Sequence, residues 1–134
     1  MYYYVNGMKR INLTILVIII GIAAPVLPAE GTGIDYRTPA SLRELVQEAL
    51  EPYLLIDVRT PFEYESGYIP TAVNIPLQDL PAGLPEVPKD SLIILYCRSG
   101  NRSASAADIL KDAGFGNVVD FGGVYRWPGD LVRP

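Results

Sequence analysis

The sequence predicts an α/β domain built around a mainly parallel sheet. Short apolar runs alternate with segments of helical periodicity along residues 38–127, an order typical of parallel sheets with crossover helices. One run, from Leu92 to Tyr96, contains no charged side chain, which indicates a strand buried on both faces. The chain has 134 residues, which is enough for one such domain.

The composition excludes several classes of function. The 15 acidic side chains outnumber the 11 basic ones, so the sequence predicts no basic face for nucleic acid. Histidine is absent, which removes Ser-His-Asp catalysis, Cys-His catalysis and histidine-ligated zinc sites. The single cysteine, Cys97, can form neither an internal disulfide nor a cysteine-rich metal site. We therefore expect no metal and no organic cofactor.

Residues 1–29 have the pattern of a cleaved signal peptide. Lys9 and Arg10 are followed by 19 uncharged, mostly apolar residues, and Leu27-Pro28-Ala29 fits a cleavage site. An uncleaved membrane anchor is the alternative, because 19 residues barely span a bilayer. In either case we expect residues 30–134 to form the folded domain outside the cytoplasm, in the periplasm or secreted, or held at the membrane by the N-terminal segment.

The first helix is predicted to begin at Thr38-Pro39, a capping residue followed by a proline that suits a first helical turn. An apolar stripe at helical spacing then predicts the face that packs against the sheet. Its members are Leu42, Leu45, Val46, Ala49 and Leu50. The first strand is predicted at Tyr53–Ile56.

The second half of the chain continues the alternation. Residues 81–89 carry three prolines and one glycine, which predicts a surface loop with at most one helical turn. A helix is predicted over Ala104–Ala113, ended by Gly114, and a last strand over Val118–Phe121. The predicted buried face of that helix consists of Ala106, Ile109, Leu110 and Ala113.

Cys97 ends the apolar run and begins a polar loop that leads into this helix. A strand, a tight loop and a helix N-terminus together form an anion-binding arrangement, to which Arg98 and Arg102 add positive charge. In this environment the pKa of a thiol is expected to fall below its usual value of ~8.5. The alternative is a cysteine that only packs in the core. Two nearby cations and Gly100 favour a reactive, anion-facing thiol instead.

The segment Cys97-Arg98-Ser99-Gly100-Asn101-Arg102-Ser103 resembles the active loop of the rhodanese family, single-domain sulfurtransferases that carry a persulfide on this cysteine. Sulfurtransferases of that superfamily have a six-residue loop that begins at the cysteine. The related phosphatases have one more residue, so their arginine comes six positions after the cysteine. Here Arg102 comes five positions after Cys97, and Ser103 takes the sixth position. The resemblance therefore implies sulfur chemistry and not phosphatase chemistry.

A second segment, from Asp57 to Pro76, resembles the first conserved block of rhodanese domains. It departs from the family at two positions, where histidine is often found in place of Tyr68 and glycine in place of Thr71. The resemblance extends to Trp127, which is expected to pack in the core or at its rim. It implies a five-stranded, mainly parallel sheet with helices on both faces.

The resemblance also implies a supporting role for Asp57 and Arg59, which would brace the loops at the carboxyl edge of the sheet. From the residues alone, these two side chains could equally belong to a solvated turn.

The function implied is transfer of sulfane sulfur from thiosulfate or a similar donor through a persulfide on Cys97. The acceptor would be cyanide, a small thiol or a protein thiol, and the anion would be held by the five residues Arg98, Ser99, Gly100, Asn101 and Arg102. No general base is required, because the nucleophile is already ionised. The alternative is a low-turnover sulfur carrier or anion-binding module that acts with a partner protein. The departures at Tyr68 and Thr71 and the acidic composition favour that alternative.

Overall fold

Four parallel strands form one sheet in the computed structural model, which describes residues 33–134. In chain order the strands are β1 (Tyr53–Asp57), β2 (Val73–Asn74), β3 (Leu92–Cys97) and β4 (Val118–Gly123). Their order across the sheet is β2-β1-β3-β4, and each neighbouring pair is parallel. The predicted α/β class and parallel sheet are confirmed. The resemblance implied five strands, whereas residues 33–134 contain a sheet of four, with no strand before the first helix.

The helices lie on both faces of the sheet, as expected. They are α1 (Pro39–Glu48), α2 (Pro61–Glu65) and α3 (Asn101–Asp112), followed by a 3₁₀ turn at Val124–Arg126. One hydrophobic core joins α1 to one face of the sheet, and a second core joins α3 to the other face.

Helix α1 begins where the sequence predicted. The Oγ1 atom of Thr38 accepts a hydrogen bond from the backbone N–H of Ser41 over 3.2 Å, so the capping interaction is formed. The predicted burial of the apolar stripe is only partly confirmed. Leu42 and Leu45 are buried, whereas the last two members of the stripe are exposed. The helix ends at Glu48 because the next residue adopts a left-handed conformation.

That residue is Ala49, with φ of 48°, and its N–H donates to the carbonyl of Leu45 over 2.9 Å. The turn directs the chain towards β1, and Leu50 is left 45% exposed. The prediction that Ala49 and Leu50 extend the buried face is therefore wrong. Pro52, which cannot continue a helix, follows shortly afterwards.

Strand β3 is the central element, paired with β1 on one side and β4 on the other. All six of its residues are buried, as the apolar run predicted. Because successive side chains of a strand point to opposite faces, Leu95 and Cys97 pack in the core that contains α3, and Tyr96 packs in the core that contains α1.

Helix α3 begins three residues earlier than predicted, at Asn101. It ends with two hydrogen bonds, from the N–H of Gly114 to the carbonyl of Lys111 (2.9 Å) and from the N–H of Phe115 to the carbonyl of Leu110 (3.0 Å). Gly114 has φ of 91°, so glycine suits this position, as the sequence suggested. Ala106 and Leu110 are fully buried, while the other two members of the predicted face are half-buried.

The remaining predictions concern the loops and the two ends of the chain. Residues 81–89 contain turns and no helix, as expected. Trp127 is buried and its indole N–H donates to the carbonyl of Asp130 over 3.2 Å. The predicted signal peptide or anchor at residues 1–29 lies outside the described residues. Between residues 33 and 134, none of the helices combines the length and the apolar character that a membrane span requires.

Candidate active site

The carboxyl ends of three strands meet at one edge of the sheet. Strand β1 ends at Asp57, which pairs with Tyr96, and β3 ends at Cys97, which pairs with Gly123 at the end of β4. In open α/β sheets this edge is where ligands bind. No group of three or more metal-ligating side chains occurs anywhere in residues 33–134.

The Cys97 sulfur lies inside a loop of backbone N–H groups. The N–H of Gly100 points at Sγ over 3.0 Å, and the Oγ atom of Ser103 lies 3.7 Å from Sγ. Gly100 has φ of 108°, a conformation that favours glycine, and it caps the N-terminus of α3. Cys97 itself is buried, with only 1% of its surface exposed.

The environment lowers the pKa of the Cys97 thiol below its usual value. Burial raises the pKa, but hydrogen bonds outweigh it, first from the backbone N–H and hydroxyl of Ser103 and then from the N–H groups of Gly100 and Ser99. The sequence pointed to the N–H groups of the loop, the helix N-terminus and the two arginines as the cause of this effect. The N–H groups of the loop and of the first turn of α3 do lower the pKa, and the hydroxyl of Ser103 is a contribution that was not expected.

Ser103 is a site residue that the sequence reasoning missed. Its side chain is completely buried, and its hydroxyl donates to the carbonyl of Gly100 over 3.0 Å. In the sequence, this position served only to count the length of the loop. Its role could have been predicted from a serine in the first turn of a helix that follows a reactive cysteine, because the hydroxyl can donate to a thiolate.

Three other side chains of the loop are exposed, and together they form its mouth. Arg98, Ser99 and Asn101 all face solvent. Within the described part of the chain, Arg98 forms no ion pair, so its positive charge is available to an anion. The backbone of this loop needs glycine at position 123, because a Cβ there would come within 2.8 Å of the carbonyl oxygen of Arg98.

Arg102 is not free, in contrast to what the sequence suggested. Its Nη1 and Nη2 atoms donate to Oε2 and Oε1 of Glu63 over 2.7 and 2.8 Å, which forms a bidentate ion pair between α3 and α2. The Arg102 side chain is 34% exposed and that of Glu63 25%. The hydrogen bond from Arg102 is the largest cause that lowers the pKa of Glu63, to about 2. In the sequence, Glu63 stood out only as part of the segment from Asp57 to Pro76 that resembles the rhodanese family.

Asp57 and Arg59 form a second, buried ion pair. The Nη2 atom of Arg59 donates to Oδ2 of Asp57 over 2.6 Å and to the carbonyl of Gly67 over 2.7 Å. The two side chains are 0% and 6% exposed, which contradicts a solvated turn. The pair therefore ties the end of β1 to the segment that follows α2.

Both departures from the rhodanese pattern have a local structural account. The ring of Tyr68 stacks on that of Tyr64 with centroids 4.0 Å apart, and its backbone pairs with Val132. Thr71 has φ of 71°, a conformation that glycine adopts more easily. Its hydroxyl is 2.8 Å from that of Tyr53, and this contact holds the turn.

Comparisons with known proteins agree on one family. The family model described as "Rhodanese-like domain" matches residues 38–129. A sulfurtransferase of Allochromatium vinosum is 42% identical over 78 residues, which cover 58% of this chain and 73% of that protein. The adenylyltransferase and sulfurtransferase UBA4 of Saccharomyces cerevisiae is 40% identical over 96 residues, which are 63% of this chain and 22% of that protein.

The fold is also similar to that of solved structures. A rhodanese-like domain protein from Staphylococcus aureus superposes with a TM-score of 0.63 at 33% sequence identity, covering 72% of this chain and 95% of that one. The two chains therefore share one fold over most of the length of each.

Proposed function

This chain belongs to the rhodanese-like domain family and is a sulfurtransferase, and from that premise we propose that it moves sulfane sulfur from thiosulfate or a similar donor through a persulfide on Cys97. The observation that carries the proposal is the low-pKa thiol at the centre of a short loop whose N–H groups point at the sulfur. This arrangement supplies an ionised nucleophile without a general base.

In the first step the Cys97 thiolate attacks the outer sulfur of the donor. A sulfur–sulfur bond forms to Cys97, the bond between the two donor sulfurs breaks, and sulfite leaves with the electron pair. The N–H of Gly100 and the first turn of α3 stabilise the negative charge on the persulfide. The free positive charge of Arg98 attracts the donor to the mouth of the loop.

In the second step an acceptor attacks the outer sulfur of the persulfide. Cyanide forms a carbon–sulfur bond, the sulfur–sulfur bond to Cys97 breaks, and the thiolate is regenerated as thiocyanate leaves. The outer sulfur lies about 2 Å from the buried Sγ, so the acceptor attacks it without having to reach Sγ itself. Cyanide, a small thiol or a protein thiol are the acceptor classes that suit this step.

The test is the formation of thiocyanate from thiosulfate and cyanide. We expect turnover by the wild-type protein and none by Cys97→Ser. An exposed serine in α3, Ser105, provides the control, since Ser105→Ala should keep wild-type turnover. Intact-protein mass spectrometry after thiosulfate treatment should show the gain of one sulfur atom. Substantial turnover by Cys97→Ser would reject the proposal.

A second candidate function is a sulfur carrier with little turnover that acts with a partner protein. The ion pair of Arg102 with Glu63 favours it, because this loop offers less free positive charge to a small anionic donor than its two arginines suggest. The yeast relative, in which a similar segment makes up 22% of a larger protein, is consistent with a protein partner. Persulfide formation without transfer to cyanide or small thiols would support this candidate, and rapid multiple turnover would reject it.

A further inference from the structure

The ion pair between Glu63 and Arg102 involves the last residue of the six-residue loop that begins at Cys97. Arg102 occupies the first turn of α3, and the electrostatic influence of the Cys97 thiolate is among the causes that raise its pKa. The same guanidinium donates two hydrogen bonds to Glu63. Arg102 is therefore near enough to act on a bound anion, but its charge is opposed by a carboxylate in direct contact.

Glu63 is held in this position by more than the arginine. Its Oε2 atom also accepts hydrogen bonds from the backbone N–H and the hydroxyl of Thr60, each over 3.0 Å. These contacts form a capping box at the start of α2, in which Thr60 accepts in turn from the N–H of Glu63. The carboxylate is therefore held both by the cap of its own helix and by Arg102 of α3. It stays charged across the neutral pH range.

We propose that Glu63 is a specificity-determining residue of the sulfur-transfer site, which neutralises Arg102 and so weakens the binding of dianionic donors relative to donors with one negative charge. This inference rests on the proposed function. It names the favoured donor class as a sulfane-sulfur compound of low charge, such as a thiosulfonate or the persulfide of a small thiol. Thiosulfate, a dianion, becomes a poorer donor in the presence of Glu63.

The effect of the Glu63 charge on binding should increase with the charge of the donor. Replacing Glu63 by an uncharged residue adds one positive charge near the loop. If that charge improves the binding of a monoanion about threefold, Coulomb's law predicts about ninefold for a dianion in the same place, since the energy is proportional to the charge of the ligand. Salt should reduce both effects.

Glu63→Gln is the variant that isolates the charge, because glutamine at this position can keep the capping box. We expect the thiosulfate KM to fall about ninefold and the KM for methanethiosulfonate, a monoanion with a similar leaving group, about threefold, with kcat within twofold of wild type. Thr60→Ala removes the side-chain cap and leaves the ion pair, so both KM values should stay near wild type. Equal changes for the two donors, or none, would overturn the proposal.

A second pair of variants guards against a purely structural effect of Glu63→Gln. Arg102→Gln leaves the Glu63 carboxylate uncompensated and should raise the thiosulfate KM. The double variant Glu63→Gln/Arg102→Gln removes that carboxylate and should lower the thiosulfate KM about ninefold relative to Arg102→Gln. A double variant as poor as Arg102→Gln would mean that the guanidinium binds the donor directly, and would overturn the inference.

A measurement independent of turnover separates this inference from the proposed function. Sulfate, a dianion, should protect Cys97 from iodoacetamide at about ninefold lower concentration in Glu63→Gln than in the wild type. If the wild type makes no thiocyanate, the proposed function fails, while the protection experiment still tests the role of Glu63. Identical protection in the two proteins would reject that role even where sulfur transfer is found.

Discussion

The buried Oγ atom of Ser103 lies 3.7 Å from the Cys97 sulfur and accepts from the thiol. Once the thiol is ionised, the Ser103 proton, which otherwise donates to the carbonyl of Gly100, can turn towards the thiolate. Removal of this hydroxyl should raise the pKa of Cys97, so less thiolate should be present at pH 7. We expect Ser103→Ala to react with iodoacetamide about three- to tenfold more slowly at pH 7 and at the wild-type rate above the thiol pKa. The rate measured against pH gives the shift directly. Ser105→Ala is the control, and a Ser103→Ala profile that coincides with wild type would contradict this role.

The buried pair of Arg59 and Asp57 should be important for stability. Arg59→Met leaves the Asp57 carboxylate buried without its cation and the Gly67 carbonyl without its donor. We expect the free energy of unfolding to fall by about 3–5 kcal/mol, measured by urea denaturation. The exposed pair Arg37–Asp35 supplies the comparison, since Arg37→Met should change stability by no more than about 1 kcal/mol. Similar losses in the two variants would be inconsistent with this account.

Glu63 should make stability depend on acid pH. Its pKa is about 2 in the folded protein and 4.5 ordinarily, so between these values the unfolded chain binds the proton more strongly. The stabilisation is therefore complete above pH 4.5 and is lost as the pH falls towards 2. We expect the wild type to lose about 1–2 kcal/mol more than Glu63→Gln between pH 5 and pH 3, after allowance for solvent screening. Parallel stability curves for the two proteins would show that the ion pair is not formed in solution.

Ala49 is strained by its left-handed backbone at the end of α1. It is exposed, so no side-chain contact would be lost on substitution. We expect Ala49→Gly to raise the free energy of unfolding by about 0.5–1 kcal/mol. Ala40→Gly, within the helix, should lower it by up to about 1 kcal/mol. A destabilised Ala49→Gly protein would argue against the helix end described above.

Export is predicted from residues 1–29. Expressing cells are fractionated and the N-terminus of the product is determined. A product that starts near Glu30 outside the cytoplasm supports a cleaved signal peptide, and an intact chain in the membrane fraction supports an anchor. An intact chain that stays in the cytoplasm would refute both. If the protein is exported, Cys97 has no second cysteine in this chain to reduce a sulfenic acid, so recovery after oxidation should require an external thiol.

The sequence predicted the site where its parts are contiguous along the chain. The strand Leu92–Cys97 and the loop after it depend on an apolar run, one glycine and a helix start, all of which are local signals. The contact of Glu63 with Arg102 joins residues 39 positions apart and depends on how two helices meet the sheet. No local pattern reports such a contact. The two arginines therefore looked equivalent in the sequence, although, of these two, Arg98 alone forms no ion pair within residues 33–134.

The end of α1 shows a different limit. Ala49 and Leu50 fit the helical spacing, and alanine strongly favours helix, so the sequence extended the stripe through them. The structure ends the helix at Glu48, two residues before Leu50, because the chain must turn to enter β1. The path of the chain into β1 therefore outweighs the preference of Ala49 for a helical conformation.

The position of β3 has a consequence for how the protein loses activity. The strand has hydrogen-bonded neighbours on both sides and no exposed residue, so its amide hydrogens should exchange with solvent only when the whole domain opens. Its last residue is Cys97. On this basis the nucleophile is attached to the slowest-exchanging part of the domain, and it should stay in place while the termini and surface loops open and close. On heating, sulfur-transfer activity should therefore be lost in the same cooperative transition as the folded structure, without an earlier phase of local inactivation.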